Sequence, residues 1–164
     1  MLWSIPLLPL LAAPVMYWLG KHGFGKHWFG KHSGRPLLSL AGVGVAIVTL
    51  MLAVLAVLGD WSGAYRWSSQ IVLLIGVTPV SAVFAIVVPL IAALIVLYST
   101  SHESEPGGDG ATTGQAPVRL IALLTAFVGA MELLVLAEDL VTLLIAWELV
   151  GACSWALIAH EWQK

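Results

Sequence analysis

Two acidic residues lie inside long apolar stretches, and they are the best candidates for chemistry in this sequence. Glu148 is the only charged residue in 140–159, and Glu132 is the only acid in 118–137. A charged side chain at the centre of a bilayer costs roughly 2.5–3.5 kcal/mol on insertion scales. An acid at such a depth is typical of a proton relay, because it can be ionised or neutral depending on its surroundings.

Glu148 is the deeper of the two acids, eight positions after Leu140 and so about 12 Å into a helix. Desolvation there penalises the carboxylate, whereas a nearby cation would favour it. We therefore expect Glu148 to be a proton-carrying group. The alternative is an inert, protonated acid that is hydrogen-bonded to a neighbouring helix.

Glu132 lies six positions before Glu138, which is about 9 Å from the end of its helix. It could be an outer step of the same relay as Glu148. It could also extend towards the interface or contact water, and the residues leave these alternatives open.

Other residue types near Glu148 favour packing over catalysis. Trp147, Gly151 and Ser154 are expected to pack next to the site, since small and hydroxyl residues allow close helix approach in membranes. Cys153 and His160 are seven positions apart, about 10 Å along a helix, which disfavours a nucleophile pair. We expect no catalytic residue and no cofactor on this chain.

A five-residue repeat follows the first apolar run, with the sequences GKHGF, GKHWF and GKHSG. One interpretation is metal capture by His22, His27 and His32. A period of five does not place these histidines on one helical face, and no carboxylate lies nearby. We therefore predict a basic juxtamembrane loop that contacts anionic lipid headgroups, and no metal site.

The composition indicates an integral membrane protein. Hydrophobic residues make up 60% of the 164 residues and charged residues only 10%, against about 25% charged residues in soluble domains. A net charge of −2 offers no basic face for phosphates, so no nucleic-acid partner is expected. Cys153 is the single cysteine, which excludes an internal disulfide.

The apolar runs predict an all-α helical bundle with about five transmembrane helices. The predicted spans are 2–19, 36–59, 80–98, 118–137 and 140–159. Prolines 6, 9 and 14 predict an irregular first helix, and proline 89 predicts a kink in the third. We expect 67–78 to form a short hairpin or a surface-lying segment, 102–115 to be a loop, and Glu138 and Asp139 to face water in a tight turn.

Basic residues predict the orientation in the cell inner (plasma) membrane. The first loop carries Lys21, Lys26, Lys31 and Arg35, whereas the second loop carries only Arg66. Loops rich in Lys and Arg stay in the cytoplasm. The N-terminus is therefore expected outside and the C-terminus inside, with the lipid bilayer around the bundle.

The segment MELLVLAEDLVTLLIAWELVGACSWALIAHEW, residues 131–162, resembles the proton-pumping antiporter-like subunits of respiratory complex I. It is most similar to subunit L and its relatives in multisubunit sodium/proton antiporters, membrane hydrogenases and inorganic-carbon uptake complexes. The family pattern reads approximately LVLADNLL…WE-x-VG-x-CSYLLIGF, and WELVGACSW matches it specifically. The order of the earlier features also resembles the family, although more loosely.

The resemblance implies a site and a domain organisation. The Glu of WE-x-VG, here Glu148, is in that family a mid-membrane acid coupled to a lysine on a broken seventh helix. The chain ends at Lys164, so another chain is expected to supply the lysine. Residues 1–117 then correspond to three leading helices with their loops, and 118–164 to the first two helices of an antiporter-like unit, truncated or split.

Departures from the family pattern also matter. The usual Asp-Gly near the third helix is replaced by Val77, Thr78 and Pro79, and Glu132 stands where the family has an apolar residue. Two hypotheses follow from the sequence. The chain is part of a proton-translocating complex with other membrane subunits, or it is a structural or remnant membrane subunit without transport of its own.

Overall fold

The structure is a computed structural model that describes residues 1–21, 34–59, 61–69, 71–102 and 116–161. Five helices and one two-stranded sheet lie in these ranges. They are α1 (Ser4–Lys21), α2 (Gly34–Leu58), β1 (Ser62–Arg66), β2 (Val72–Gly76), α3 (Pro79–His102), α4 (Ala116–Leu136) and α5 (Leu140–Glu161). The predicted helical bundle is confirmed, and each helix end lies within a few residues of its predicted position.

Four helices are long and apolar enough to cross a membrane. Their spans are Ser39–Leu58, Pro79–Tyr98, Val118–Leu136 and Leu140–Ala159. Helix α1 is not among these four, but it packs antiparallel along α4. A Cβ atom added at Gly20 would overlap Val118 Cγ1, and one added at Gly129 would lie 2.8 Å from the carbonyl oxygen of Pro6. Helix α1 therefore runs alongside most of α4.

The prolines of α1 do not interrupt it. The helix runs from Ser4 to Lys21 through Pro9 and Pro14. Its first turn is closed by Ser4, whose amide donates to the carbonyl oxygen of Met1 at 3.0 Å and whose hydroxyl donates to the same oxygen at 2.6 Å. Residues 1–3 precede the helix, which is continuous from Ser4 onwards.

A β-hairpin follows α2, and it begins earlier than predicted. Ser62 pairs with Gly76 and Arg66 pairs with Val72 in an antiparallel register. Trp67 lies in the turn, where its amide donates to the carbonyl oxygen of Ile71 at 3.0 Å. The second strand alternates in exposure as a half-buried strand should, with Ile75 buried in the bundle.

The main apolar core lies at the hairpin end of the bundle and joins every element except β1. Its buried members are Leu2, Ile5, Ala53, Ala56, Ile75, Ala85, Leu133, Leu136 and Ala146. Small alanines from α2, α3 and α5 let the helices approach closely around the larger side chains. The hairpin is therefore part of the packed body of the protein.

Helix α3 starts with a reciprocal cap. The amide of Thr78 donates to Ser81 Oγ at 2.7 Å, and the amide of Ser81 donates to Thr78 Oγ1 at 3.1 Å. Pro79 occupies the first helical position, where its missing N–H costs nothing. The Val77-Thr78-Pro79 departure from the family pattern therefore forms a helix start.

Candidate proton-binding carboxylates

Glu132 lies on α4 inside the bundle. Its exposed fraction is 0%, and neither carboxylate oxygen has a hydrogen-bond partner among the residues that the structure describes. An unpaired polar group in an apolar interior is costly, and an unpaired charge is far more so. The Glu132 side chain therefore neither extends to the interface nor contacts bulk water, which were two of the alternatives that the sequence left open.

The buried face of α4 carries Glu132 towards the other helices. Ile121, Thr125 and Val128 precede it at helical spacing and are all buried. Thr125 donates its hydroxyl to the carbonyl oxygen of Ile121 at 2.8 Å and lies 3.9 Å from the sulfur of Met16. On this buried face of α4, the other residues are apolar or, like Thr125, hydrogen-bonded within the helix. Glu132 is the acid on that face.

A small cavity lies on the same stripe, one to two turns from Glu132 towards the start of α4. Its volume is about 10 Å³, which is close to the space of one water molecule. It is lined by Pro9, Gly42, Val45, Ala46, Ala92, Val96, Leu124, Thr125 and Val128. Four helices meet there, and the lining is apolar apart from the hydroxyl of Thr125.

The hairpin closes the bundle at the end nearest Glu132. Ile75 forms an isolated β-bridge with Ala137, directly after α4. The amide of Glu138 donates to the carbonyl oxygen of Leu74 at 3.0 Å, and the amide of Leu74 donates to Asp139 Oδ2 at 2.6 Å. We call these two hydrogen bonds at Leu74 the hairpin clip.

Asp139 also caps α5. Its Oδ1 accepts hydrogen bonds from the amides of Val141 and Thr142, both at 2.9 Å, and its Oδ2 accepts one from the hydroxyl of Thr142. Desolvation raises the pKa of this carboxyl, but the hydrogen bonds from Thr142, Leu74 and Val141 together lower the pKa below its ordinary value. The predicted water-facing turn is confirmed for Glu138, which is exposed, whereas Asp139 is partly exposed and uses its carboxylate in these hydrogen bonds.

Glu148 lies on the opposite face of α5 from the bundle. Thr142 and Ala146 are buried against the other elements, whereas Glu148, two positions after Ala146, is exposed. Only 11% of the α5 span is buried, against 44% of the α4 span. The structure therefore does not bring Glu132 and Glu148 together: one faces inward and the other outward.

Two of the three predicted packing residues, Trp147 and Gly151, are exposed like Glu148. Trp147 is 67% exposed, and a Cβ atom added at Gly151 would meet nothing within 4 Å. Ser154 is half-buried. Their role in packing next to the site stays a prediction, since this face of α5 is not covered by the described part of the chain.

The remaining sequence candidates give no second site. His22, His27 and His32 lie outside the described residues. Among the described residues, no group of three His, Cys, Asp or Glu side chains could hold a metal ion. Cys153 is a free, half-buried thiol.

Two features of the site were not found from the sequence. Asp139 precedes an apolar run, which is the signature of a helix cap, but its bond to Leu74 joins residues 65 positions apart. The indole Nε1 of Trp3 is buried without a hydrogen-bond partner among the described residues. No sequence pattern indicates such an unpaired indole, because tryptophans near span ends ordinarily face the interface.

Comparison with known proteins confirms the resemblance. F(420)H(2) dehydrogenase subunit L of Methanosarcina mazei is 30% identical over 164 residues, which cover 98% of this chain and 22% of that protein. The chloroplast NAD(P)H-quinone oxidoreductase subunit 5 of Zygnema circumcarinatum is 33% identical, covering 95% of this chain and 22% of that protein.

A cyanobacterial protein shows the same relationship. NAD(P)H-quinone oxidoreductase chain 5 of Synechocystis is 27% identical over 171 residues, covering 99% of this chain and 24% of that protein. No protein-family model matches the chain. The chain is thus similar over nearly its whole length to proteins of which it spans less than a quarter.

Proposed function

We propose that this chain, a relative of the subunit L and subunit 5 proteins, is a membrane subunit of a proton-translocating oxidoreductase complex in which Glu148 carries the proton. The relatives are named as subunits of an F420H2 dehydrogenase and of NAD(P)H-quinone oxidoreductases. The chemistry of electron transfer belongs to other subunits in this proposal. This chain contributes membrane helices and protonatable carboxylates.

The position of Glu148 supports the proposal most directly. It is the only charged residue of the span Leu140–Ala159, and it lies on the face of α5 that the described residues leave uncovered. A lone acid on an apolar, lipid-depth surface is costly unless a partner binds it. A single acid on an apolar, uncovered helix face is the arrangement expected of a proton-carrying group that pairs with a residue of a neighbouring subunit.

The proposed partner is a membrane subunit that places a lysine against Glu148. With the ammonium group close by, the carboxylate is favoured, and when the lysine withdraws, the neutral acid is favoured. Each change of the ion pair therefore takes up or releases one proton at the middle of the membrane. Glu132 is buried on the inner side of the bundle and takes no part in this pair.

The proposed location is the inner (plasma) membrane, with the N-terminus outside. The basic first loop, with Lys26 and Lys31, supports a cytoplasmic position for that loop. The hairpin and the turn at Asp139 then lie at the outer face, because they occupy the other end of the bundle.

A structural role is the second candidate, and the aromatic residues of α5 favour it. Trp147 and Trp155 are 67% and 72% exposed on the uncovered face. Large aromatic side chains of this kind anchor subunits to one another. In this alternative, α5 binds a neighbouring subunit and Glu148 takes no part in transport.

Substitution at Glu148 tests the proposal in the assembled complex. Glu148→Gln matches the neutral acid in size and hydrogen bonding, so assembly should persist while proton pumping is lost. Glu148→Lys should impair assembly, because it places a second cation against the partner lysine. Native gels of solubilised membranes and proton uptake by vesicles measure the two properties.

Glu138→Gln is the matched control for these variants. It makes the same chemical change at an exposed acid outside the spans, so assembly and pumping should both be unchanged. Normal pumping by Glu148→Gln would remove Glu148 from the mechanism and favour the structural role.

A further inference from the structure

We propose that Glu132 is a second proton-binding site, held as a neutral carboxylic acid, and that the hairpin clip controls exchange of its proton with water at the hairpin end of the bundle. Glu132 has an exposed fraction of 0% and no hydrogen-bond partner among the described residues. This inference does not depend on Glu148 carrying protons, because Glu132 is buried inside the bundle whereas Glu148 is exposed on α5.

The surroundings of Glu132 favour the neutral form. Apolar residues of the main core adjoin it, among them Leu133 and Leu136 on its own helix. Of the charged and titratable groups whose side chains the structure describes, those at the far end of the bundle are Tyr17, Lys21, Tyr98 and Arg119. Glu148 is exposed and Cys153 half-buried on α5, and the groups at the hairpin end but outside the spans are Met1, Tyr65, Arg66, Glu138 and Asp139. Neither carboxylate oxygen of Glu132 has a partner among the described residues that would stabilise a negative charge, so the protonated, neutral form is favoured.

The shorter path from Glu132 to water leads towards the hairpin. Leu136, at the end of α4, is four residues or about 6 Å away along the axis, whereas Val118 is about 21 Å away in the other direction. The short path is closed by Leu2, Ile75 and Leu136, whose side chains are all fully buried. Ile75 belongs to the hairpin, so the hairpin forms part of this seal.

The hairpin clip holds that seal in place. The carbonyl oxygen of Leu74 accepts from Glu138, and the amide of Leu74 donates to Asp139. Both bonds lie at the exposed rim, where water can compete for them, and local openings of such segments are common in native proteins. Loss of the clip frees β2 from the α4–α5 turn, and Ile75 moves with it.

Trp3 supplies a second unpaired polar group at the same end. Its indole Nε1 is buried without a partner among the described residues, and its ring packs against the main core. The ring also contacts Tyr65 of β1 edge-on, with centroids 6.2 Å apart. An unpaired donor and an unpaired acid at one end of a core are the groups that an entering water molecule would satisfy.

Infrared spectroscopy of the full chain in lipid vesicles tests the protonation state. A neutral carboxylic acid gives a carbonyl band that is resolved from the amide bands. The measurement is made in Glu148→Gln, because Glu148 without its partner lysine could contribute a band of its own. At neutral pH we expect the band in Glu148→Gln and its loss when Glu132→Gln is added. Absence of the band from Glu148→Gln, or its persistence in the double variant, overturns the proton-binding site.

Exchange into D₂O, followed as the isotope shift of the same band, tests the route. Asp139→Asn has only one side-chain oxygen, so it cannot accept hydrogen bonds both from Leu74 and from the first amides of α5. The hairpin clip should then open more often, and the band should shift faster than in the native chain. Ser81→Ala is the matched control, since it weakens the α3 cap at the same end without touching the clip. Val128→Phe fills the cavity on the opposite side of Glu132 and should leave the rate unchanged.

The outcomes separate the two routes. Faster exchange in Asp139→Asn alone supports control by the hairpin clip. Unchanged exchange in Asp139→Asn, or slower exchange in Val128→Phe, overturns it. Circular dichroism of each variant establishes that the helices are retained, so a change in exchange rate is not a loss of fold.

Discussion

Asp139 accepts a hydrogen bond from the backbone amide of Leu74 at 2.6 Å, across 65 positions of sequence. The same carboxylate accepts the first amides of α5, from Val141 and Thr142. One side chain therefore fixes the start of α5 and the edge of the hairpin relative to each other. Since Ile75 follows Leu74, this contact also positions the apolar seal over the end of α4.

Removal of the Asp139 carboxylate should destabilise the protein. Asp139→Ala loses the helix cap and the bond to Leu74, and a cap alone contributes about 0.5–2 kcal/mol. Asp139→Asn keeps the cap and should lose less. Unfolding in mixed micelles, followed by circular dichroism, measures the difference, and equal stability of Asp139→Ala and the native chain would contradict the dual role.

The stability of the hairpin end should depend on acid pH through Asp139. Its pKa is lowered in the folded protein, so its contribution is fully present above the unfolded pKa of about 3.9. The contribution is lost as the pH falls through the lower folded pKa. The midpoint of unfolding should therefore decrease as the pH is lowered from about 3.9 through the folded pKa of Asp139. In Asp139→Asn this part of the pH dependence should be absent.

Close packing of α1 on α4 should make Gly129 intolerant of a side chain. A Cβ atom there would lie 2.8 Å from the carbonyl oxygen of Pro6 and 2.9 Å from the amide nitrogen of Leu10, both backbone atoms that cannot move independently. Gly129→Ala should therefore destabilise the bundle by about 1–3 kcal/mol.

Gly44→Ala is the matched control for Gly129→Ala. A Cβ atom at Gly44 meets nothing within 4 Å, so the change should be neutral or stabilise α2 by up to about 1 kcal/mol. Thermal unfolding in detergent compares the two variants. Similar effects at both glycines would show that α1 and α4 do not pack this closely in the membrane.

The helices could be predicted from the sequence because hydrocarbon thickness sets the length of each apolar run. The run of 140–159 was predicted with its first residue correct, since Asp139 precedes it and no other charge than Glu148 interrupts it. The prediction that 67–78 contains a hairpin was correct in type. It missed β1, because Ser62–Arg66 is short and mostly exposed and carries little apolar periodicity.

The facing directions of the two acids could not be predicted from the sequence. All sides of α4 and α5 are apolar, so periodicity does not distinguish the inward from the outward side of Glu132 or Glu148. Packing decides this: Gly129 lets α1 approach the side of α4 near Glu132, whereas Ala146 turns the opposite side of α5 towards the core. Whether either acid carries protons stays a prediction.

The orientation in the membrane should be visible by cysteine labelling. With Cys153 replaced by alanine, single cysteines at Lys26 and at Ser62 should react with an impermeant maleimide from opposite sides. Ser62 lies at the hairpin end of the bundle, and Lys26 belongs to the basic stretch of sequence after α1. Labelling of both cysteines from the same side of sealed vesicles would contradict the predicted topology.

The purified chain by itself should not conduct protons at a useful rate. Glu148 faces outward without a cation from the described residues, and Glu132 is enclosed at the hairpin end. Glu132 is buried inside the bundle and Glu148 is exposed on α5, so neither completes a path for the other. Liposomes that contain the chain and a pH-sensitive dye should respond to an imposed potential no faster than protein-free liposomes. Glu148→Gln and Glu132→Gln should behave in the same way, whereas a fast flux that Glu148→Gln abolishes would show that Glu148 moves protons without a partner subunit.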